Sequence, residues 1–176
     1  MKQRLSLILL LCAGLLAGGC GYSTRSMLPS HLRTIYVEAF KNNIVYASEG
    51  NRNLYFPLLE VKARDAIINR YLFDGNVKIA DANKADMTLS GEVVNYYRSA
   101  LRRTDDDDAE EYRVYVAMHL VMYDNVKDEV IWEEEGFTGE AEYFVRGALT
   151  TTEESAVQEA VLDLARRVVE RTIENW

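Results

Sequence analysis

The sequence predicts an α+β domain, with two helices packed on one face of a single mixed or antiparallel sheet of about four to five strands. Three observations carry that reading. Residues 112–123 alternate strictly, with Val114, Val116, Met118, Leu120 and Met122 on one face and no polar member among them. Two longer segments, near 54–74 and 151–173, repeat apolar residues at spacings of three and four. The elements run strand, helix, strands, helix, so two amphipathic helices can cover one side of one sheet and leave its other side partly open.

Taken in order, the chain begins with Lys2 and Arg4, then an apolar run from Leu5 to Leu16 broken only by Ser6, Cys12 and Gly14. Ala17, Gly18 and Gly19 follow, directly ahead of Cys20. A positive start, a short apolar segment and small residues before a cut site make a signal peptide over residues 1–19. The run falls short of the roughly 20 residues a spanning helix needs. Small residues leading into a cysteine resemble the lipobox of bacterial lipoproteins, which implies cleavage before Cys20 and acylation of that residue. Three acyl chains would exceed what stable membrane attachment requires. Cys12, preceded by Leu9, Leu10 and Leu11, has no such context.

Residues 20–30 read as the acylated cysteine and a short tether, small and polar through Tyr22, Ser23, Thr24, Arg25 and Ser26, with Pro29 near its end. An early edge strand is the alternative there. Residues 31–176 form one domain. Residues 34–40 give a strand with Ile35, Val37 and Ala39 on one face, and 41–53 are loop. A helix begins between Leu54 and Pro57 and ends near Asp74 and Gly75, its stripe made by Tyr55, Phe56, Leu59, Ala63, Ala66 and Ile67. Pro57 suits the opening turn, and Gly75 the position just past the end. A short strand at 77–79 follows. Residues 87–98 form a longer strand, 99–110 interrupt it, 112–123 form the clearest strand, and 129–133 its antiparallel partner after a turn. Thr151 with Glu154 makes a capping box for the last helix. Its stripe is Val157, Ala160, Val161, Leu164 and Val168, widened by Leu162, Val169 and Ile173.

Bulk composition narrows the function. Removing residues 1–19 takes Lys2 and Arg4 from the 20 basic residues, leaving 18 against 28 acidic ones. So acidic a surface excludes nucleic acid, whose phosphates need a basic face, and argues against electrostatic docking on anionic lipid. Cys20 is the one cysteine left after cleavage, so no internal disulfide is possible.

Catalysis has no residue set to carry it. The two histidines, His31 and His119, lie near no nucleophile, and no glycine-rich phosphate loop occurs. The protein is therefore read as no enzyme, with no cofactor beyond the covalent lipid on Cys20. Asp105, Asp106, Asp107 and Asp108, with Glu110 and Glu111, lack the spacing and the glycine of a calcium loop, so no metal is expected. Arg98, Arg102 and Arg103 beside them could grip phosphates, and are the candidate contacts for a phosphate-bearing ligand. On the odd face of the 112–123 strand, Tyr115, His119 and Tyr123, with Tyr97 from the strand before, form a candidate partner-facing surface. Tyrosine suits such a surface because it joins a large apolar body to a polar tip.

Several stretches occur together in a telling order: Cys20-Gly21-Tyr22; Thr34-Ile35-Tyr36-Val37 with Phe40; Leu72-Phe73-Asp74-Gly75 leading to Lys78-Ile79; and Ala85-Asp86-Met87-Thr88-Leu89-Ser90-Gly91-Glu92-Val93. Tyr112-Arg113-Val114, Glu129-Val130-Ile131-Trp132-Glu133, Glu142-Tyr143-Phe144-Val145 and Thr152-Glu153-Glu154-Ser155-Ala156 complete the series. In this order they resemble the LptE family of lipopolysaccharide-assembly lipoproteins, from Cys20 nearly to the C-terminus. The resemblance implies two helices on one sheet, and a lipid-anchored place on the periplasmic side of the outer membrane. It also implies a partner, the LptD β-barrel, which the family's lipoprotein plugs while lipopolysaccharide passes to the cell surface. The alternative function is a periplasmic lipoprotein that binds a ligand or ion through the 102–111 loop.

Overall fold

The structure, a computed structural model, describes residues 28–44 and 56–174. The expected signal peptide, Cys20, most of the tether and most of the 41–53 loop lie outside the described residues. In chain order the elements are β1 (Thr34–Val37), β2 (Lys41–Asn42), α1 (Leu59–Asp74), β3 (Lys78–Ile79), β4 (Met87–Arg103), β5 (Ala109–Asp124), β6 (Glu129–Phe144) and α2 (Glu153–Glu174). The strands form one sheet in the order β3-β1-β4-β5-β6, with β2 also paired to β4. The short strands pair in parallel and the three long ones antiparallel, so the sheet is mixed. Six strands stand where four to five were expected. The strand not foreseen is β2, two residues in the stretch expected to be loop and too short to show any alternation.

The long strands also run further than their sequence pattern. β4 continues through the region expected to interrupt it, and the turn to β5 is confined to residues 104–108. There Thr104 N–H donates to the Asp108 carbonyl at 2.8 Å, and Asp107 takes a left-handed φ of 64°. β6 extends eleven residues beyond Glu133, to Phe144, as an edge strand paired with β5 along its length. Its glutamates and glycines, with a register shift between Glu134 and Phe137, hide the pattern of Trp132, Phe137, Gly139 and Tyr143, which are all buried.

Both helices lie on the face bearing Val114, Val116, Met118, Leu120 and Met122, all of them fully buried. α1 contributes Leu59, Ala63, Ile67 and Tyr71, and α2 contributes Val157, Ala160, Leu164 and Val168. The Tyr71 hydroxyl meets Thr172 Oγ1 at 2.8 Å, joining the two helices inside the core. Four details depart from the sequence reading. α1 starts at Leu59, because Pro57 and Leu58 form the turn before it and Leu58 is left-handed at φ 57°. Thr152, not Thr151, caps α2: its Oγ1 accepts from Ser155 N–H at 3.1 Å, while Thr151 N–H is committed to the Phe144 carbonyl. Leu162 faces outward at 61 % exposure, beyond the edge of the stripe. Ala39 is exposed because the chain leaves β1 after Val37, and Phe40 is buried in its place.

Two carboxylates fix the end of the sheet where the N-terminal segment joins. Asp86 accepts from the Arg33 and Thr34 backbone N–H groups, both at 2.9 Å, and from Thr34 Oγ1 at 2.8 Å. Asp124 meets His31 Nε2 at 2.9 Å and accepts from the N–H groups of Val126 and Lys127. Burial alone would raise both carboxyls, but these hydrogen bonds outweigh it and hold both below the ordinary aspartate range. Asp86→Ala is expected to cost about 2 kcal/mol at pH 7, the scale of losing hydrogen bonds to a charged group. Because the folded value lies below the unfolded one of about 3.9, this contribution is complete above about pH 4 and fades as pH falls through the folded value. Urea denaturation should therefore show the gap between wild type and Asp86→Ala narrowing in acid.

Candidate functional site

The side of the sheet away from the helices carries no covering element among the described residues. Down its middle runs the odd face of β5: Arg113, Tyr115, Ala117, His119, Val121 and Tyr123, with Ala117 buried and the rest half-buried. Register places Ser99, Tyr97, Asn95, Glu92, Ser90 and Thr88 of β4 beside them in turn. From the other side, β6 opposes Glu142 to Arg113, Glu140 to Tyr115, Thr138 to Ala117 and Glu133 to Val121.

A β-bulge at Val94 decides which β4 side chains reach this face. Val93 pairs with Met118 but Asn95 with Ala117, so one residue is inserted and the parity of the strand changes. Val93 and Tyr96 both point toward the helices, while Tyr97 lands on the open face. There its ring stacks on that of Tyr115, with centroids 4.6 Å apart and planes 13° from parallel. This is a cross-strand aromatic pair turned to solvent, Tyr97 being 37 % exposed.

Charged groups frame the pair. Arg113 holds Glu142 through two of its nitrogens and reaches Glu140 at 3.6 Å. His119 Nε2 lies 2.9 Å from Glu133 Oε1, and its Nδ1 lies 3.9 Å from Glu92. Tyr123 donates its hydroxyl proton to Asp128, a bond that keeps the phenol protonated above its ordinary range. Four of the sequence candidates, Tyr97, Tyr115, His119 and Tyr123, are thus brought onto one surface. Arg113 and its two glutamates were missed. The signal was available in the alternation of β5, but their pairing depends on the unforeseen extension of β6.

Beside His119 the surface dips into a depression of about 240 Å³ lined by Glu38, Lys41, Ser90 and Glu92 among others. It is smaller than the roughly 300–1,000 Å³ of ordinary small-molecule sites. The face as a whole is broad and shallow, and mixes tyrosine with paired charge.

The candidate arginines lie toward the far end of the β4–β5 hairpin, on different sides. The Val94 bulge turns Arg98 toward α2, where it pairs with Glu153, donates to the Tyr143 hydroxyl at 3.1 Å and sits over the Tyr112 ring at 4.9 Å. Tyr96 donates to the same Glu153, and burial with that bond drives its hydroxyl far above the ordinary phenol range. Arg98 therefore braces the N-terminal end of α2. Arg102 is 3.7 Å from the buried Glu111, and Arg103 bonds the Asp107 carbonyl at 2.9 Å. Arg146 reaches Asp108 at 2.7 Å. Among the described residues no group of three or more His, Cys, Asp or Glu side chains is placed to hold a metal ion. None of the described helices is long and apolar enough to cross a membrane.

No curated protein matches the chain. Among solved structures it is similar in fold to protein XCC0632 from Xanthomonas campestris, at 10 % identity and a TM-score of 0.54, covering 82 % of this chain and 88 % of that one. It is also similar to the hypothetical protein CT253 from Chlamydia trachomatis, at 11 % identity and a TM-score of 0.52, covering 79 % and 94 %. A weaker likeness is to the rare lipoprotein B from Shewanella oneidensis, at 16 % identity and a TM-score of 0.42, covering 74 % and 90 %. The family model described as lipopolysaccharide-assembly matches residues 32–172, which span the sheet and both helices. The chain belongs to the LptE family of lipopolysaccharide-assembly proteins.

Proposed function

We propose that this LptE-family protein is an outer-membrane lipoprotein, anchored on the periplasmic side through an acylated Cys20, that docks its open sheet face against a β-barrel of the LptD kind. It acts there as a plug and assembly factor for lipopolysaccharide transport, and transforms no substrate. The observation that carries this reading is the uncovered face with the stacked Tyr97 and Tyr115 at one end and paired charges around them. Tyrosine-rich, shallow and internally charge-compensated surfaces suit protein docking because little charge must be desolvated without a partner. Arg102 and Arg103, the more exposed of the three arginines, remain the groups proposed to meet lipopolysaccharide phosphates, and Arg98 serves as a brace.

The test is photocrosslinking in cells from residue 115 or 123, with Leu162 on the outer surface of α2 as control. A barrel-sized adduct from the sheet positions and none from residue 162 supports the proposal. Adducts from residue 162 alone would overturn it. Replacing Cys20 with Ser is expected to move the protein from the membrane fraction to the soluble periplasm, since each buried acyl CH₂ is worth about 0.8 kcal/mol. Fractionation and intact mass read that result directly.

A further inference from the structure

The end of the domain where the N-terminal segment joins also carries apolar side chains that the core does not use. α1 runs to this end and stops at Asp74, with Gly75 left-handed just beyond and Lys78 then pairing with Thr34. In its last turn Leu72 is 61 % exposed and Phe73 82 % exposed. The β5–β6 turn reaches the same end, because Asn125 N–H donates to the carbonyl of Asp86, which itself anchors Arg33 and Thr34. Val126 stands out of that turn at 60 % exposure. Three large apolar side chains thus project from one end, amid Lys78, Lys84 and Lys127, whose long stems can lie along a lipid surface while their charges stay in water.

Chain length selects the occupant. Eight residue steps separate Cys20 from Leu28, which packs against the core. Fully extended they reach about 29 Å. The far end of the hairpin lies on the order of 50 Å along β5 from Asp124, at about 3.3 Å per residue. An acylated Cys20 therefore keeps the Leu72, Phe73 and Val126 end within about 29 Å of the bilayer, while the hairpin turn is free to lie much further out. We propose that this end rests on the bilayer itself, Phe73 and Leu72 entering the headgroup layer beside the acyl chains with Val126 at its rim. An exposed aromatic ring with the Arg70 guanidinium 5.5 Å from its centre suits that layer. Acidic Asp81, Asp128 and Glu129 share this end, so the contact is apolar and does not depend on anionic lipid. The proposal rests on acylation of Cys20 but not on the barrel partner.

The experiment uses the mature, acylated chain alone in phosphatidylcholine vesicles, with single cysteines introduced by Phe73→Cys, Val126→Cys or Leu149→Cys and labelled with an environment-sensitive fluorophore. Leu149, 69 % exposed near the opposite end, is the control. Emission should rise about two- to threefold at 73 and 126 on transfer from water to the headgroup boundary, with quenching by brominated lipid, and stay unchanged at 149. Equal responses at all three sites, or none at 73 and 126, would overturn the proposal. Intact mass separates the two failures: an unacylated Cys20 takes a second label and refutes the anchor, while a single label with a silent residue 73 refutes the contact.

Discussion

Gly139→Val should leave no folded domain, and Gly139→Ala should lower stability by about 3 kcal/mol, the upper range for overpacking a tight site. The cause is how closely α2 crosses β6. A Cβ at Gly139 would lie 2.2 Å from the Ala160 carbonyl oxygen, 2.4 Å from Leu164 Cβ and 2.6 Å from Leu164 N. Two of those atoms are helix backbone, so no rotamer change relieves the clash and the whole helix must lift. The lift would also strain the Asp163 and Arg167 bonds that α2 makes to β6 backbone at Glu140 and Thr138. Other glycines supply the scale. At Gly91 the nearest atom, 2.7 Å away, is the Leu120 Cδ2 tip, which can turn, so Gly91→Ala should cost less. At Gly136, three residues before Gly139 on the same strand, nothing lies within 4 Å, and Gly136→Ala should be neutral or slightly stabilising. Against a domain stability of 5–15 kcal/mol, a loss of about 3 kcal/mol at Gly139 appears as a fall in Tm of about 10 °C. A Gly139→Ala variant melting with wild type would mean that α2 does not pack this closely.

The same glycine marks where sequence reading gave out. The apolar stripe of α2 and the even face of β5 were legible because each has a strict period and no polar interruption. Four glutamates, two glycines and a threonine blurred residues 134–144 of β6, where a core-facing glycine carries no hydrophobic signal at all. The strand became a strand through pairing with β5, a tertiary constraint that a local pattern does not encode. The region between β4 and β5 was obscured for the opposite reason: arginines and aspartates suggested a loop, yet Arg102 and Arg103 still pair across to Glu111 and Ala109. The open face was foreseen from β5, with Tyr97 added from the strand before it. The rest of its β4 half was not assigned, because a single inserted residue at Val94 exchanges the two sides of the strand. By parity Arg98 and Tyr97 swap faces, and a presumed ligand-gripping arginine becomes the brace on Glu153 while the tyrosine joins Tyr115.

That exchange sets up the second large effect. Replacing both Tyr97 and Tyr115 with Ala should reduce recovery of the proposed barrel partner at least about 30-fold, while Tm moves by no more than a few degrees. The asymmetry follows from what the rings do in each state. In the free domain they form one cross-strand pair on a solvent-facing surface, a contact worth roughly 0.2–1 kcal/mol to folding. Against a partner, a tyrosine whose exposed area becomes fully buried is worth about 2 kcal/mol or more, and that difference alone is about 30-fold in affinity. Tyr112 and Tyr143 also stack, with centroids 5.6 Å apart, but on the helix side, under Arg98. Tyr143→Ala should reverse the outcome, lowering Tm sharply through loss of a buried ring and its bonds to Arg98 and Glu153. Partner binding per folded molecule should then be unchanged. Two stacked tyrosine pairs that share β5, one facing in and one facing out, would thus divide folding from the proposed docking. If both pairs moved Tm alike and neither moved binding, the outward face would be ordinary sheet surface.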